Sequence, residues 1–186
     1  MSIIPAILDA HLEAVAHLRA MSADVENAGR QLIDTLRGGG KILLCGNGGS
    51  AGDAQHIATE LVCRFESERR GLPAIALTTD SSALTAIGND FGFERVFARQ
   101  VEALGRPGDC LIAISTSGNS GNVEAAVMAA EALGLTTIGL LGRDGGRLAD
   151  RCGRALIVPA DSTARIQECH ILIGHIWCAM IDQAFR

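Results

Sequence analysis

Apolar positions recur at helical spacing twice before any strand-like run begins. Ile7, Leu12, Val15 and Leu18 do so within residues 6–20, and Val25, Ala28, Leu32, Ile33 and Leu36 within residues 23–37. Ser22 is placed to cap the second of these helices, and Gly38-Gly39-Gly40 to stop it. The pattern then changes to short, nearly continuous apolar runs at 42–45, 73–77, 109–114, 136–141 and 155–158, which read as strands. Three of the four gaps between them hold helical segments: an Ala-rich stretch opening at Ser50, an Asp80-capped helix ending near Gly88 with a second over 93–104, and a helix over 121–133. The last gap is the turn-rich Gly142-Arg143-Asp144-Gly145-Gly146, and a long helix over 163–184 closes the chain. Strands apolar on both faces, with helices in most of the intervals, predict an α/β fold. The expected form is a five-stranded parallel sheet flanked by helices, a flavodoxin-like three-layer sandwich built from right-handed βαβ units. No repeat or linker divides residues 1–186, so one domain is expected. Residues 1–38 form a leading helical hairpin with only the sheet or another subunit to bury against, a candidate oligomer element.

Composition narrows the function. A chain of 186 residues is long enough for a proper core, and its 48% hydrophobic content is mostly aliphatic. The net charge of −5 speaks against a nucleic-acid backbone as main partner. No apolar run reaches the length of a membrane span, and the N-terminus lacks the cationic start of a signal peptide. The six cysteines show no C-x-x-C spacing and read as buried thiols. A cytosolic protein without membrane or direct nucleic-acid contacts is expected.

The candidate chemistry sits where strands end. In KILLCGNGGSAGDAQHIATE, from Lys41, an apolar strand breaks at Gly46, Gly48 and Gly49 and reopens at Ser50 into a helix. Close backbone approach, free amides and the helix dipole make this a cradle for an anion such as phosphate. His56 and Glu60 stand four residues apart on one face of that helix. The second loop, Ser115-Thr116-Ser117-Gly118-Asn119-Ser120, carries four hydroxyls where a helix cap needs one, which points to phosphate as well. A dinucleotide fingerprint fits poorly, because its acidic residue should end a second strand about 20 residues on, whereas here the next strand begins only at Pro73 and the first acidic residue after it is Asp80; a Walker loop lacks its hydroxyl after Gly40-Lys41. On the last helix, Gln167 and His175 fall within about 80° of each other, while His170 is about 140° from His175 and faces elsewhere. Two histidines, a glutamate and a glutamine on two helices could ligate a zinc-like ion or serve as acid and base without one.

Taken together, GNGGSAGDAQH, RFESER with LPAIAL, GNDFGF, ISTSGNS and RIQECH with His175 resemble the sugar isomerase (SIS) domain family, and within it the phosphoheptose isomerases. The resemblance spans nearly the whole chain. It implies aldose-ketose isomerisation of sedoheptulose 7-phosphate to D-glycero-D-manno-heptose 7-phosphate through an enediol, for bacterial heptose synthesis. It implies Glu60 as general base and His175 as acid, and a zinc site of His56, Glu60, Gln167 and His175. Asn47, Gly48, Gly49, Ser50, Glu60, Arg64, Asn89, Asp90, Ser115, Thr116, Ser117, Ser120 and Gln167 would bind the substrate. A homotetramer with active sites at subunit interfaces is implied too. Ala164 departs from relatives that carry an aspartate there. A non-catalytic SIS tetramer, resembling the replication-initiator-associating protein, is the alternative, and the presence of both Glu60 and His175 weighs against it.

Overall fold

The computed structural model describes residues 2–186. Two helices, α1 (Ile4–Ala20) and α2 (Ser22–Arg37), precede β1 (Ile42–Gly46), α3 (Gly49–Val62), β2 (Ala74–Ala76), α4 (Ser81–Phe91) and α5 (Ala98–Leu104). There follow β3 (Cys110–Ser115), α6 (Gly121–Ala132), β4 (Thr136–Gly142), β5 (Arg154–Val158) and α7 (Thr163–Ala184). The five strands pair in parallel in the order β2-β1-β3-β4-β5.

Each strand sends alternate side chains into opposite layers. Ile42 and Leu44 of β1, with Ile112 and Ile114 of β3, join the core formed with α2, α3 and α7. Leu43 and Cys45, with Leu111 and Ala113, join the core beneath α5 and α6. Strand order reverses after β2, so right-handed crossovers place α3 on one face and the later helices on the other. After β5 the chain returns to the first face, which brings α7 alongside α3. Trp177 of α7 is buried there, and its indole N–H donates to the Val25 carbonyl of α2 at 2.9 Å. The leading helices meet at Met21, and each packs on α7 more than on the other. No described helix is long and apolar enough to cross a membrane.

Several local expectations change. Ser22 does not cap α2: its hydroxyl donates to the Arg19 carbonyl at 2.6 Å. The amides a cap would serve are already engaged, since Asp24 and Val25 N–H both donate to the Met21 carbonyl. The helix expected over 93–104 divides into a 3-10 turn at Phe93–Arg95 and α5, with buried Val96 and Phe97 filling the break. Helix α4 runs past Gly88 to Phe91, capped as expected by Asp80, whose carboxylate accepts from Ala83 N–H at 2.9 Å. Five cysteines are buried, but Cys63 is exposed because it follows the last turn of α3.

Candidate active site

The β1–α3 turn is drawn tight by its glycines. A Cβ at Gly46 would lie 2.8 Å from Ser50 Cβ, and Gly48 adopts φ 55°. Ser50, in the first turn of α3, is buried. The loop after β3 lies on the same C-terminal sheet edge, next to β1, where the strand order reverses and open α/β sheets take their ligands. Ser115 and Ser120 close this loop through a hydroxyl–hydroxyl bond of 2.9 Å. Ser120 stands at the N-cap position of α6 yet makes no side-chain cap bond. Its hydroxyl is therefore not consumed by ending a helix, while Ser117 Oγ accepts weakly from Asn119 N–H at 3.2 Å. Thr116 is half-buried between them.

The acid–base groups come from the α3–α7 contact. On α3, His56 Nε2 lies 3.3 Å from Glu60 Oε1. Across the contact, His175 Nε2 lies 2.9 Å from the same His56 nitrogen. One of these two nitrogens must donate and the other accept, so one ring presents a bare nitrogen to its partner. Carboxylate and second imidazole thus close on one atom, within the width of a small substrate. Phe65, just past α3, stacks on the His175 ring at 5.5 Å between centroids and fixes its plane.

Two turns earlier on α7, the Gln167 amide donates to Asp53 Oδ1 at 2.5 Å. Gln167 also lies over the cradle, because a Cβ at Gly49 would sit 3.5 Å from its Cγ. Asp53 is only 4% exposed, and its Oδ2 has no hydrogen-bond partner. Burial pushes this carboxyl up to about 6, against the pull of the Gln167 amide and of nearby His56. Sequence reasoning missed Asp53. The available signal was its place three residues before His56, on the same face of α3.

His56, Glu60, Gln167 and His175 are thus gathered along one helix–helix seam. His170 is not part of it: fully buried, it meets the Leu141 carbonyl through Nε2 at 2.9 Å. Arg64 lies exposed beyond the end of α3. Asn89 and Asp90, at the end of α4, bond each other at 2.8 Å, and among the described residues no hydrogen bond joins them to α3 or α7. Asn47 follows β1 and forms a two-way amide pair with Asn122 of α6, a second residue that sequence reasoning missed.

The donor chemistry at the seam suits a zinc-like ion, with two imidazole nitrogens, a carboxylate and an amide oxygen. Among the described residues, however, no three His, Cys, Asp or Glu side chains converge as a group able to hold a metal. The two imidazoles instead face each other at hydrogen-bond distance.

The comparisons with known proteins bear on this geometry. The SIS domain family matches residues 8–142. The chain is 59% identical over 174 residues to phosphoheptose isomerase of Aliarcobacter butzleri (strain RM4018), covering 93% of this chain and 92% of that one. It is 54% identical over 183 residues to phosphoheptose isomerase of Trichlorobacter lovleyi (strain ATCC BAA-1151 / DSM 17278 / SZ), covering 98% and 93%. Among solved structures, phosphoheptose isomerase GmhA from Neisseria gonorrhoeae superposes with a TM-score of 0.91 at 47% identity, covering 97% of each chain. With identity of this order over nearly the full length, and a five-stranded parallel sheet that superposes throughout, the chain belongs to the phosphoheptose isomerases of the SIS domain family.

Proposed function

We propose that this protein is an aldose-ketose isomerase that interconverts sedoheptulose 7-phosphate and D-glycero-D-manno-heptose 7-phosphate, supplying heptose precursors for bacterial lipopolysaccharide or a related glycan. The observation that carries the reading is the convergence of Glu60 and His175 on His56 Nε2, next to a sheet edge that offers backbone amides and serine hydroxyls. The phosphate would rest on the β1–α3 turn and the Ser115–Ser120 loop, fixing the sugar's register at one end.

Glu60 takes the proton from C1 of the ketose as O2 gains one, giving the enediol. The O1 proton then leaves as Glu60 returns a proton to C2, and the aldose forms. His175 steadies the oxygen on which charge develops and relays its proton. His56, hydrogen-bonded to His175 and 3.3 Å from Glu60, keeps the two groups in register. Zinc is the proposed ion: His56, Glu60, Gln167 and His175 would hold it, and bound there it would supply Lewis-acid polarisation of the sugar oxygens.

A homotetramer with active sites completed between subunits is part of the same reading. It is supported by the half-open site, where the His56 side chain is 50% exposed, and by Asn89 and Asp90 on a helix with no buried residue.

The test is turnover of sedoheptulose 7-phosphate in deuterated water, followed by NMR, with and without added zinc. Aldose formation with deuterium at C2 is expected, and Glu60→Gln should lower the rate by roughly 10²- to 10⁴-fold, the range for loss of a general base. No turnover under either condition overturns the isomerase reading.

A further inference from the structure

We infer that Asn122 is a positioning residue for the phosphate cradle, acting through Asn47; the inference rests on the isomerase reading of the same site. The two loops of the cradle leave neighbouring strands and have no shared backbone ladder beyond them. What joins them is a closed pair of side-chain bonds: Asn47 Nδ2 donates to Asn122 Oδ1 at 2.8 Å, and Asn122 Nδ2 donates to Asn47 Oδ1 at 2.9 Å. Asn122 is 4% exposed, so its amide needs these bonds and has no water to replace them. Each amide uses one donor and one acceptor in the pair, which leaves Asn47 one N–H and one carbonyl lone pair for a ligand.

The anchoring is directional. Asn122 rides on a segment tied down from its far side, where Arg147 bonds Glu124 Oε2 at 2.8 Å and its backbone N–H donates to Asn119 Oδ1 at 3.1 Å. Leu148 N–H also donates to the Gly118 carbonyl at 3.0 Å, which binds the hydroxyl loop to the chain after β4. Asn47, by contrast, stands in the turn between Gly46, the last ladder residue of β1, and Gly48; its carbonyl accepts from Ser50 N–H at 3.0 Å, but among the described residues its side chain is held by Asn122 alone. Asn122 is therefore the fixed post, and Asn47 with its glycine turn is what it holds. The amide pair sets the width of the crevice before any ligand arrives, so binding does not have to order the turn.

The experiment compares wild type with Asn122→Ala, Asn47→Ala and the double variant. It reads KM and kcat for sedoheptulose 7-phosphate, the inhibition constant of inorganic phosphate, and phosphate affinity by calorimetry. In Asn122→Ala, KM and the phosphate inhibition constant should rise about tenfold, the effect of losing about 1.4 kcal/mol, with kcat falling by less than KM rises. The double variant should be no weaker than the weaker single one, because both changes remove the same pair. If Asn122→Ala does not fold, Asn122→Ser serves: it keeps a polar group in the buried space but is too short to span the gap. Unchanged phosphate affinity and KM in a folded variant, or losses that add in the double variant, overturn the inference. Absence of wild-type turnover overturns the isomerase reading instead, and calorimetry with inorganic phosphate still decides the role of Asn122.

Discussion

His170 and His175 stand five residues apart on α7 and meet opposite surroundings. His175, half-buried, faces His56 across the seam, whereas His170 is sealed in the core with its Nε2 proton given to the Leu141 carbonyl. The other ring nitrogen, Nδ1, is buried without a partner, so protonating it would place a bare charge in the interior. Burial accordingly lowers this imidazole from 6.5 to about 4, with the Leu141 bond opposing only in part. A histidine depressed in the folded state favours folding above its unfolded value and loses that contribution as pH falls through the folded one. Stability should therefore drop by about 3 kcal/mol between pH 6.5 and about 4 through this group alone. Urea unfolding at pH 7 and near pH 4 should show the drop in wild type and a flatter profile in His170→Gln; equal slopes in the two proteins would exclude His170 as its source. The angular argument from the sequence separates these histidines, since a helix repeat alone sets His170 away from the face shared by Gln167 and His175. The same argument sets Asp53 on the His56 face of α3 but could not pair it with Gln167, which is 114 residues away and is brought near only by the return of α7 to the first face.

At the scale of elements, the segment between α3 and β2 does more than connect them. The Arg69 side chain, fully buried, bonds Asp182 Oδ1 through Nε at 2.7 Å and donates to the carbonyls of Leu61 and Glu60 at 2.9 and 2.8 Å. The guanidinium thus caps the C-terminal turn of α3, the turn that carries Glu60, and places positive charge at the negative end of the helix dipole. Asp182 near the end of α7 holds Arg69 in place and accepts from the backbone of Glu66 and Ser67 at 2.9 and 2.7 Å. Burial pushes this carboxyl up, but those amides and Arg69 outweigh it and hold the group below its ordinary value. Removing one partner strands a buried charge, so Asp182→Ala should lose about 3–5 kcal/mol of unfolding free energy, read by urea denaturation. A loss below about 1 kcal/mol, the range of an exposed pair, would mean the network is solvent-screened. All five strands were legible because each is an apolar run, and α7 because its pattern holds for six turns. The division near Phe93 was not legible, since a 3-10 turn and an α-helix share the same apolar spacing over so few residues. Nor was the Arg69 network, because Asp182 is 113 residues from Arg69 and meets it only once α7 is laid against that segment.

The whole molecule leaves apolar surface where a stable monomer would not need it. On α1 and just before it, Ile3, Ile4, Leu8 and Leu12 are 57–71% exposed, and only Ala14 and Leu18 of that helix are buried. Between α1, α2 and α7 runs a groove of about 770 Å³, lined in part by Val15, Leu18, Val25, Ile33, Leu172 and Ile176. Ile176 adjoins His175 in sequence, so whatever covers the groove also presses on the helix that aims the imidazole. Assembly and catalysis are for this reason expected to be coupled in the proposed homotetramer. A leucine buried on association contributes about 1.5–3 kcal/mol, so converting both Leu8 and Leu12 to lysine removes several kcal/mol per interface and adds unpaired charge. Light scattering should give wild type a mass several times the 19.4 kDa of one chain, and the Leu8→Lys, Leu12→Lys variant a lower one. If the active site is completed between subunits, turnover should fall in step with the oligomer, and raising protein concentration should restore both together. A variant that dissociates yet keeps wild-type turnover at every concentration would show that each chain carries a complete site, and that the apolar face of α1 serves assembly alone.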